Sequence, residues 1–294
     1  MRYTLRQIEV FLEVARVESV SRAAAALAMS QSAVSSALAD LERQFGIRLF
    51  DRVGKRLQLS ELGRAIRART EGLIEQANGL ERLLDDKQEV GRLRIGATLT
   101  IGNYLCVPLM ATFMRDQPQA ALTLSVANTE EIARQVANFE VDIGLVEGEI
   151  QHPELDVSPW RDDRLAVFSS PQHPFARKRT LTDEDLCSAA WIVREPGSGT
   201  RQAFDRAMHG LIPRLQIALA LQHTEAIKGA VEAGLGVGCL SRITLHEAFR
   251  RGTLKECRVP HRSFDRQFFF LLHKQKYRGP GIDRWLALCR AAKA

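Results

Sequence analysis

The chain is short of nearly every pattern that marks a catalytic, secreted or membrane protein. Its five cysteines, Cys106, Cys187, Cys239, Cys257 and Cys289, are an odd number scattered without a CxxC spacing. That speaks against a zinc cluster and a disulfide framework, and points to a reducing compartment. The seven histidines show no HxH or HExxH spacing, so no metal site is expected. No apolar run approaches the roughly 18 residues that a membrane-spanning helix needs. No basic start leads into an apolar stretch and a small-residue cleavage site, so a cytoplasmic protein without a membrane partner is expected. Gly197-Ser198-Gly199 is not the five-residue nucleophile elbow, and no histidine and acid are placed for an evident triad. Gly234-Leu235-Gly236-Val237-Gly238 follows a helical pattern and enters a strand-like one, the reverse of a phosphate loop. No catalytic residue is therefore assigned, and an enzyme is not expected.

What is present is ordinary globular material in a distinctive order. At 294 residues, with 45% apolar and 26% charged residues and no low-complexity stretch, the chain should fold as more than one unit. The net charge of +6 is unevenly spread. Between Arg43 and Arg69 lie Arg43, Arg48, Arg52, Lys55, Arg56, Arg64, Arg67 and Arg69 against Asp51 and Glu61 alone. Such a cluster is either a solvated basic face or the footprint of a polyanion-binding surface.

The local patterns favour the second. Leu5, Ile8, Phe11, Leu12 and Ala15 recur at helical spacing over residues 4–17. Ser19 or Ser21 can cap a short alanine-rich helix reaching Ala28, and Ser30 can cap another over Gln31 to Phe45, ended by Gly46. The alanines let the two helices lie close, as in a helix-turn-helix. The outward positions at the start of the second helix are Gln31, Ser32, Ser35 and Ser36, short hydrogen-bonding side chains suited to base edges or phosphates. A hairpin follows, from Arg48–Phe50 to Arg56–Leu59, with Arg52, Lys55 and Arg56 placed to meet the DNA backbone. Ser60 then opens a helix to about Lys87, with Leu73, Ala77, Leu80 and Leu84 in heptad-like spacing, which suits pairing with a second copy or packing on its own domain. The order is that of a winged helix-turn-helix with a long linker helix.

Ser21-Arg22-Ala23-Ala24, Ser30-Gln31-Ser32-Ala33-Val34-Ser35, Leu41-Glu42, Phe45 through Arg52 and Leu59-Ser60-Glu61-Leu62-Gly63 together resemble the N-terminal signature of LysR-type transcriptional regulators. The resemblance implies that Gln31, Ser32, Ser35 and Ser36 belong to the recognition helix, that Arg52, Lys55 and Arg56 form the wing, and that residues 60–88 link and dimerise. Many relatives carry a long basic or amide side chain just after the Val-Ser pair. Here Ser36-Ala37 follows, so base readout rests on fewer contacts.

From Arg92 onward, short apolar runs alternate with helical patterns. They are Leu93–Ala97, Leu122–Val126 and Val141–Val146, then Leu165–Ser169, Trp191–Arg194, Leu215–Leu221 and Val237–Leu240, closing with Gln267–Leu272 and a helix ending near Arg290. Strand-helix-strand order implies parallel sheet covered by helices. The family resemblance implies two linked α/β lobes of the periplasmic-binding-protein type, lobe I spanning about 89–162 and 267–294 and lobe II about 163–266. The expected organisation is therefore residues 1–59 for DNA, 60–88 for the linker and 89–294 for an effector.

Ligands in such lobes sit where strands end and helices begin, because free N–H groups and the helix dipole favour oxyanions there. Four junctions have that form: Thr98 to Asn103, Asn128-Thr129, Glu195 to Arg201, and His223-Thr224-Glu225. Each hydroxyl alone reads as an ordinary helix cap; four at equivalent junctions read as a site. These segments, with Asp142 to Gly148, resemble the LysR branch that contains regulators of sulfite reduction and of carbon-fixation operons. That implies a small anionic effector held by Thr98, Thr100, Thr129, Ser198, Thr200 and Thr224, with no cofactor. Glu147 and Glu195 would oppose an anion unless Arg194 or Arg201 neutralises them.

The expected protein is thus a regulator that binds double-stranded promoter DNA as a dimer or tetramer and answers a small anion. A solute-binding receptor or a ligand-independent regulator would use the same last two hundred residues; the helix-turn-helix disfavours the first, and the second stays open, while a structural DNA-packaging protein would not need two lobes with hydroxyl-lined junctions.

Overall fold

The computed structural model describes residues 2–53, 56–84 and 91–292. The chain divides into two compact units, residues 1–88 with 275–277, and residues 89–274 with 278–294.

The first unit opens with α1 (Leu5–Val17), α2 (Val20–Ala26) and α3 (Gln31–Phe45). Each start is fixed by a hydroxyl that accepts a free amide of the first turn: Thr4 from Gln7, Ser19 from Arg22 and Ser30 from Ala33. Of the two serines that could cap α2, Ser19 does so. Gly46 ends α3 at φ +64°, a left-handed conformation that costs glycine little and a side chain more. Val10, Phe11 and Val14 of α1, Ala23 of α2, and Val34, Leu38 and Leu41 of α3 form the core with Leu49 and Phe50. The fully buried Ala23 brings α2 against its neighbours. Strand β1 (Phe50–Val53) pairs antiparallel with β2 (Arg56–Leu59), Phe50 opposite Leu59. Helix α4 (Glu61–Leu84) follows Ser60, whose hydroxyl donates to Arg48 O and accepts from Gly63 N. Ile66, Leu73 and Ile74 pack on this core, whereas Leu80 is 58% exposed.

The second unit runs β3 (Arg92–Thr98), α5 (Leu99–Ile101), a π-helical turn (Gly102–Cys106), α6 (Val107–Asp116), β4 (Ala121–Ala127), α7 (Thr129–Ala137), β5 (Ile143–Glu147), β6 (Leu155–Ser169), α8 (Asp183–Ser188), β7 (Ala190–Arg194), α9 (Gly199–Ala207), β8 (Gln216–Leu221), α10 (Thr224–Glu232), β9 (Val237–Ser241), α11 (Arg242–Arg251), β10 (Lys255–Cys257), β11 (Asp265–His273) and α12 (Pro280–Ala291). Parallel pairing holds within each half, β4-β3-β5 in one and β8-β7-β9 in the other. The connection between the halves is antiparallel: β11 pairs with β5 and β6, and β6 with β9. The parallel expectation therefore holds among β3, β4 and β5 and among β7, β8 and β9, and gives way along the long strands β6 and β11, with β10 also antiparallel to β6. A register shift opposite Phe268 and Phe269 lets β6 accommodate Pro159, which has no N–H for a ladder.

Each lobe buries its own apolar faces. Leu93, Ile95, Ile143, Phe268, Phe270 and Trp285 centre one core, and Trp191, Val193, Phe204, Met208 and Val237 the other. The carboxyl ends of β3, β5 and β7 are left to carry polar residues.

Candidate functional site

The residues expected to read DNA lie on the open side of α3. Val34, Leu38 and Leu41 occupy its buried stripe, so Gln31, Ser32, Ser35 and Ser36 fall on the opposite side, and all four are exposed. Ser30 Oγ lies 3.0 Å from Ser32 Oγ while accepting from Ala33 N, which ties the first turn together. The backbone of Arg52 and Arg56 belongs to the hairpin, with Val53 opposite Arg56. Lys55, and the side chains of Arg52 and Arg56, lie outside the described residues.

The expected effector residues are all buried at the ends of strands. Thr98 closes β3, and Thr100 lies two residues on. Its hydroxyl donates to Glu147 Oε1 at 3.1 Å, at the end of the adjacent parallel strand β5. Thr129, the first residue of α7, donates to Glu147 O at 2.8 Å and accepts from Gly199 N of the other lobe at 3.1 Å. Thr200, in the first turn of α9, accepts from Arg266 Nη1 at 3.0 Å. Arg266 forks between two carboxylates, its Nη2 paired with Glu147 and its Nε donating to Asp163 Oδ2 at 2.6 Å. Asp163 also accepts from Ser241 at 2.8 Å. Thr100, Thr129 and Thr200 are thereby joined through Glu147 and Arg266 across both lobes. Ser198 is buried at the start of α9 without a side-chain cap bond. Thr98 Oγ1, Thr224 Oγ1 and Arg194 Nη1 are buried with no hydrogen-bond partner among the described residues.

The acidic residues are neutralised differently from expectation. Arg194 does hold Glu195, by two bonds of 2.8 Å. Arg201, however, binds Asp205, and the partner of Glu147 is Arg266. Local spacing does not mark Arg266 and Asp163 as candidates, because their role depends on pairing opposite one another in β11 and β6, 103 residues apart. One signal exists: in Arg266, Phe268 and Phe270 every second residue is buried, and that period puts the arginine on the inner face.

Further contacts hold the lobes together. Glu130 N donates to Gly197 O at 3.3 Å, and a Cβ on Gly199 would stand 1.7 Å from Glu147 O, so only glycine allows this approach. Tyr104, on the π-helical turn, donates to Glu225 Oε1 at 2.5 Å, and Lys228 Nζ reaches Tyr104 at 3.2 Å and Glu225 at 2.7 Å. Burial works against the charge on Lys228, but its bonds to Glu225 and Tyr104 outweigh it and raise its pKa; burial and the bond to Glu225 push the Tyr104 phenol up. A groove of about 880 Å³ follows the strand crossing and is lined in part by Asp163 and Arg266. Two ion pairs lie along it, Arg206 with Glu149 at 2.9 Å and Arg164 with Asp265 at 3.6 Å.

Comparison with known proteins places both halves. A family model described as "Bacterial regulatory helix-turn-helix protein, lysR family" matches residues 5–64, and one described as "LysR substrate binding domain" matches residues 86–294. The chain is 43% identical over 292 residues to the uncharacterised HTH-type transcriptional regulator YeiE of Escherichia coli (strain K12), covering 99% of each chain. It is 33% identical to the RuBisCO operon transcriptional regulator of Allochromatium vinosum, over 100% of this chain and 98% of that one, in keeping with the carbon-fixation branch that the motifs resemble. Among solved structures, a full-length OxyR variant from Pseudomonas aeruginosa superposes with a TM-score of 0.83 at 22% identity, covering 99% of this chain and 96% of that one. The regulatory domain of Synechocystis CcmR in complex with 2-PG gives 0.63 at 29% identity, covering 68% of this chain and 96% of that one.

Proposed function

Because the chain belongs to the LysR family of transcriptional regulators, with a helix-turn-helix and an effector-binding domain, we propose that α3 and the β1–β2 wing read promoter DNA and that the cleft between the lobes senses a small oxyanion. LysR regulators bind DNA and small-molecule effectors and form oligomers. Gln31, Ser32, Ser35 and Ser36 contact base edges and phosphates in the major groove, and Arg52, Lys55 and Arg56 hold the backbone beside it. Helix α4 pairs with a second copy through the stripe that includes the exposed Leu80, so the target is an interrupted near-palindrome. The work takes place in the cytoplasm, where promoter DNA is.

The observation that carries the oxyanion reading is the trio of buried, unpartnered polar atoms at strand ends, Thr98 Oγ1, Thr224 Oγ1 and Arg194 Nη1. A buried donor left unmade costs about 1–3 kcal/mol, and each of these groups can donate to an oxyanion. The serine and threonine hydroxyls of Ser198 and Thr200 extend the same donor set. Occupation of the cleft changes the balance between lobe arrangements through its unequal affinity for them, and so changes how the DNA-binding units are presented.

Footprinting on the DNA upstream of the protein's own gene, with and without inorganic oxyanions, tests both parts. Expected is sequence-selective protection that weakens with salt by about one counterion per phosphate contact and changes extent when the anion is added. Absence of selective protection overturns the DNA reading; protection indifferent to every oxyanion overturns the effector reading.

A further inference from the structure

The cleft holds one carboxylate more than its cations neutralise. The side chains of Glu147 and Asp163 are 1% and 2% exposed and share a single guanidinium, that of Arg266. Every arm of Arg266 is committed: Nε to Asp163, Nη1 to Thr200 and Nη2 to Glu147. The neighbouring cations do not make up the difference, since Arg194 is held by Glu195 and Arg201 by Asp205. Of the arginines that line the groove with Arg266, Arg164 is held by Asp265, Arg206 by Glu149, and Arg161 lies over the Trp160 ring beside the further carboxylate of Asp162. Among the described residues, the groups that face Glu147 carry no formal charge apart from Arg266: Thr100 of α5, Thr129 of α7 and the start of α9 at Gly199. Behind Arg266 lie the ring of Phe268, Ser241 on Asp163, and Cys239, whose thiol burial pushes up and so keeps neutral.

A fully deprotonated oxyanion brought beside this surplus meets uncompensated negative charge at a buried position, where solvent screens little of it. An oxyanion that carries a proton converts the same contact into a hydrogen bond. Its O–H donates to Glu147, whose oxygens have lone-pair capacity left after Thr100 and Arg266 have each taken one position. Glu147 ends β5, beside the end of β3 that carries Thr98 and Thr100, so the acceptor stands among the donors.

We propose that Glu147 makes the cleft selective for oxyanions that bear a hydrogen, such as hydrogen phosphate, a phosphomonoester monoanion or hydrogen sulfite, and excludes those fully deprotonated at neutral pH, such as sulfate and nitrate. The inference rests on the oxyanion reading given above and narrows it. Discrimination of this type is strong, because a buried group built to pair with a ligand hydrogen is left unpaired, or repelled, by the analogue lacking it.

The test is calorimetric titration of the full-length protein with phosphate, sulfite, sulfate and nitrate at mildly acidic, neutral and mildly alkaline pH. Phosphate or sulfite is expected to bind about tenfold or more tightly than sulfate and nitrate. Sulfite affinity falls as rising pH strips its single proton, whereas phosphate, still hydrogen phosphate at mildly alkaline pH, keeps its advantage over sulfate. Glu147→Gln keeps the shape without the charge and is expected to admit sulfate, bringing the ratio to within about threefold. Asp163→Asn removes the surplus without touching Glu147 and moves the ratio the same way. A thermal melt by circular dichroism establishes that each variant is folded, and either one alone decides. Sulfate or nitrate binding the wild type as tightly as phosphate and sulfite, or a ratio unmoved in a folded variant, overturns the selectivity while sparing the oxyanion reading. No binding of any of the four anions overturns that reading, and the selectivity with it.

Discussion

Hydroxyl side chains furnish both candidate sites, in opposite surroundings. On α3, Ser32, Ser35 and Ser36 stand exposed while Val34, Leu38 and Leu41 behind them do the packing. In the effector unit, Thr100, Thr129 and Thr200 are buried and bonded into the contacts that join the two lobes. A surface that must meet DNA exposes its donors and stores most of its stability elsewhere. A cleft that must sense a ligand uses the same bonds for folding and for binding. Substitutions should therefore separate affinity from stability in the first unit and couple them in the second.

The largest expected effect is at Arg266. Arg266→Ala strands two buried carboxylates, and removing one partner of a buried ion pair costs about 3–5 kcal/mol. Urea unfolding should show that loss in the effector unit, together with loss of oxyanion binding. A change of less than about 1 kcal/mol would mean that water reaches the network, and the contrast between the units would fail.

Gly199→Ala comes next. Its Cβ would collide with the backbone of Glu147, an atom that cannot swing away, so the lobes must separate locally. About 1–3 kcal/mol is the usual cost of such overpacking. Small-angle scattering or hydrogen exchange across Thr129 and Gly199 should show the opened cleft; unchanged protection there would refute the coupling.

These two residues differ in how much of their role is legible in the sequence. Gly199 lies in a junction recognisable by its serine, glycine and threonine. Such junctions are local, as are the Ser30 cap and the Gly46 stop that bound α3. Arg266 acts only through a strand 103 residues away in sequence. The first half of β6 hides that pairing, because Pro159 followed by Arg161, Asp162, Asp163 and Arg164 is poor strand material, held in place by the ladder to β11 and other long-range contacts. Helix α11 likewise has no counterpart among the patterns expected from sequence. Hydroxyls at strand ends are legible as a set, whereas the charges that organise them are not, since charge pairing is a property of the fold rather than of spacing.

A smaller effect is expected at Ser35. Ser35→Ala should weaken specific DNA binding by about 0.5–1.5 kcal/mol, the value of one hydrogen bond. Thermal stability should stay within about 0.5 kcal/mol, as for an exposed position without a structural partner. Fluorescence anisotropy on specific and scrambled duplexes measures the first, and a melt the second. A stability loss equal to the affinity loss would make the two units alike.

The smallest effect is at the Tyr104–Glu225–Lys228 clasp, and there the sign with pH is the informative part. Burial opposes ionisation of Glu225, yet bonds from Lys228 and Tyr104 prevail and hold its carboxyl below the ordinary glutamate value. A group with a depressed folded pKa contributes stability above its unfolded pKa and loses it as pH falls through the folded one. The Glu225 side chain is 71% exposed, so the contribution is about 0–1 kcal/mol after solvent screening. Tyr104→Phe deletes the hydroxyl that joins the two lobes at this point. The stability difference between wild type and Tyr104→Phe should therefore be present at neutral pH and shrink below the glutamate range, where a neutral carboxyl accepts more weakly. If the difference instead grows on acidification, the tyrosine stabilises through packing against Lys228 and not through the carboxylate, and the clasp belongs with the buried contacts of the core.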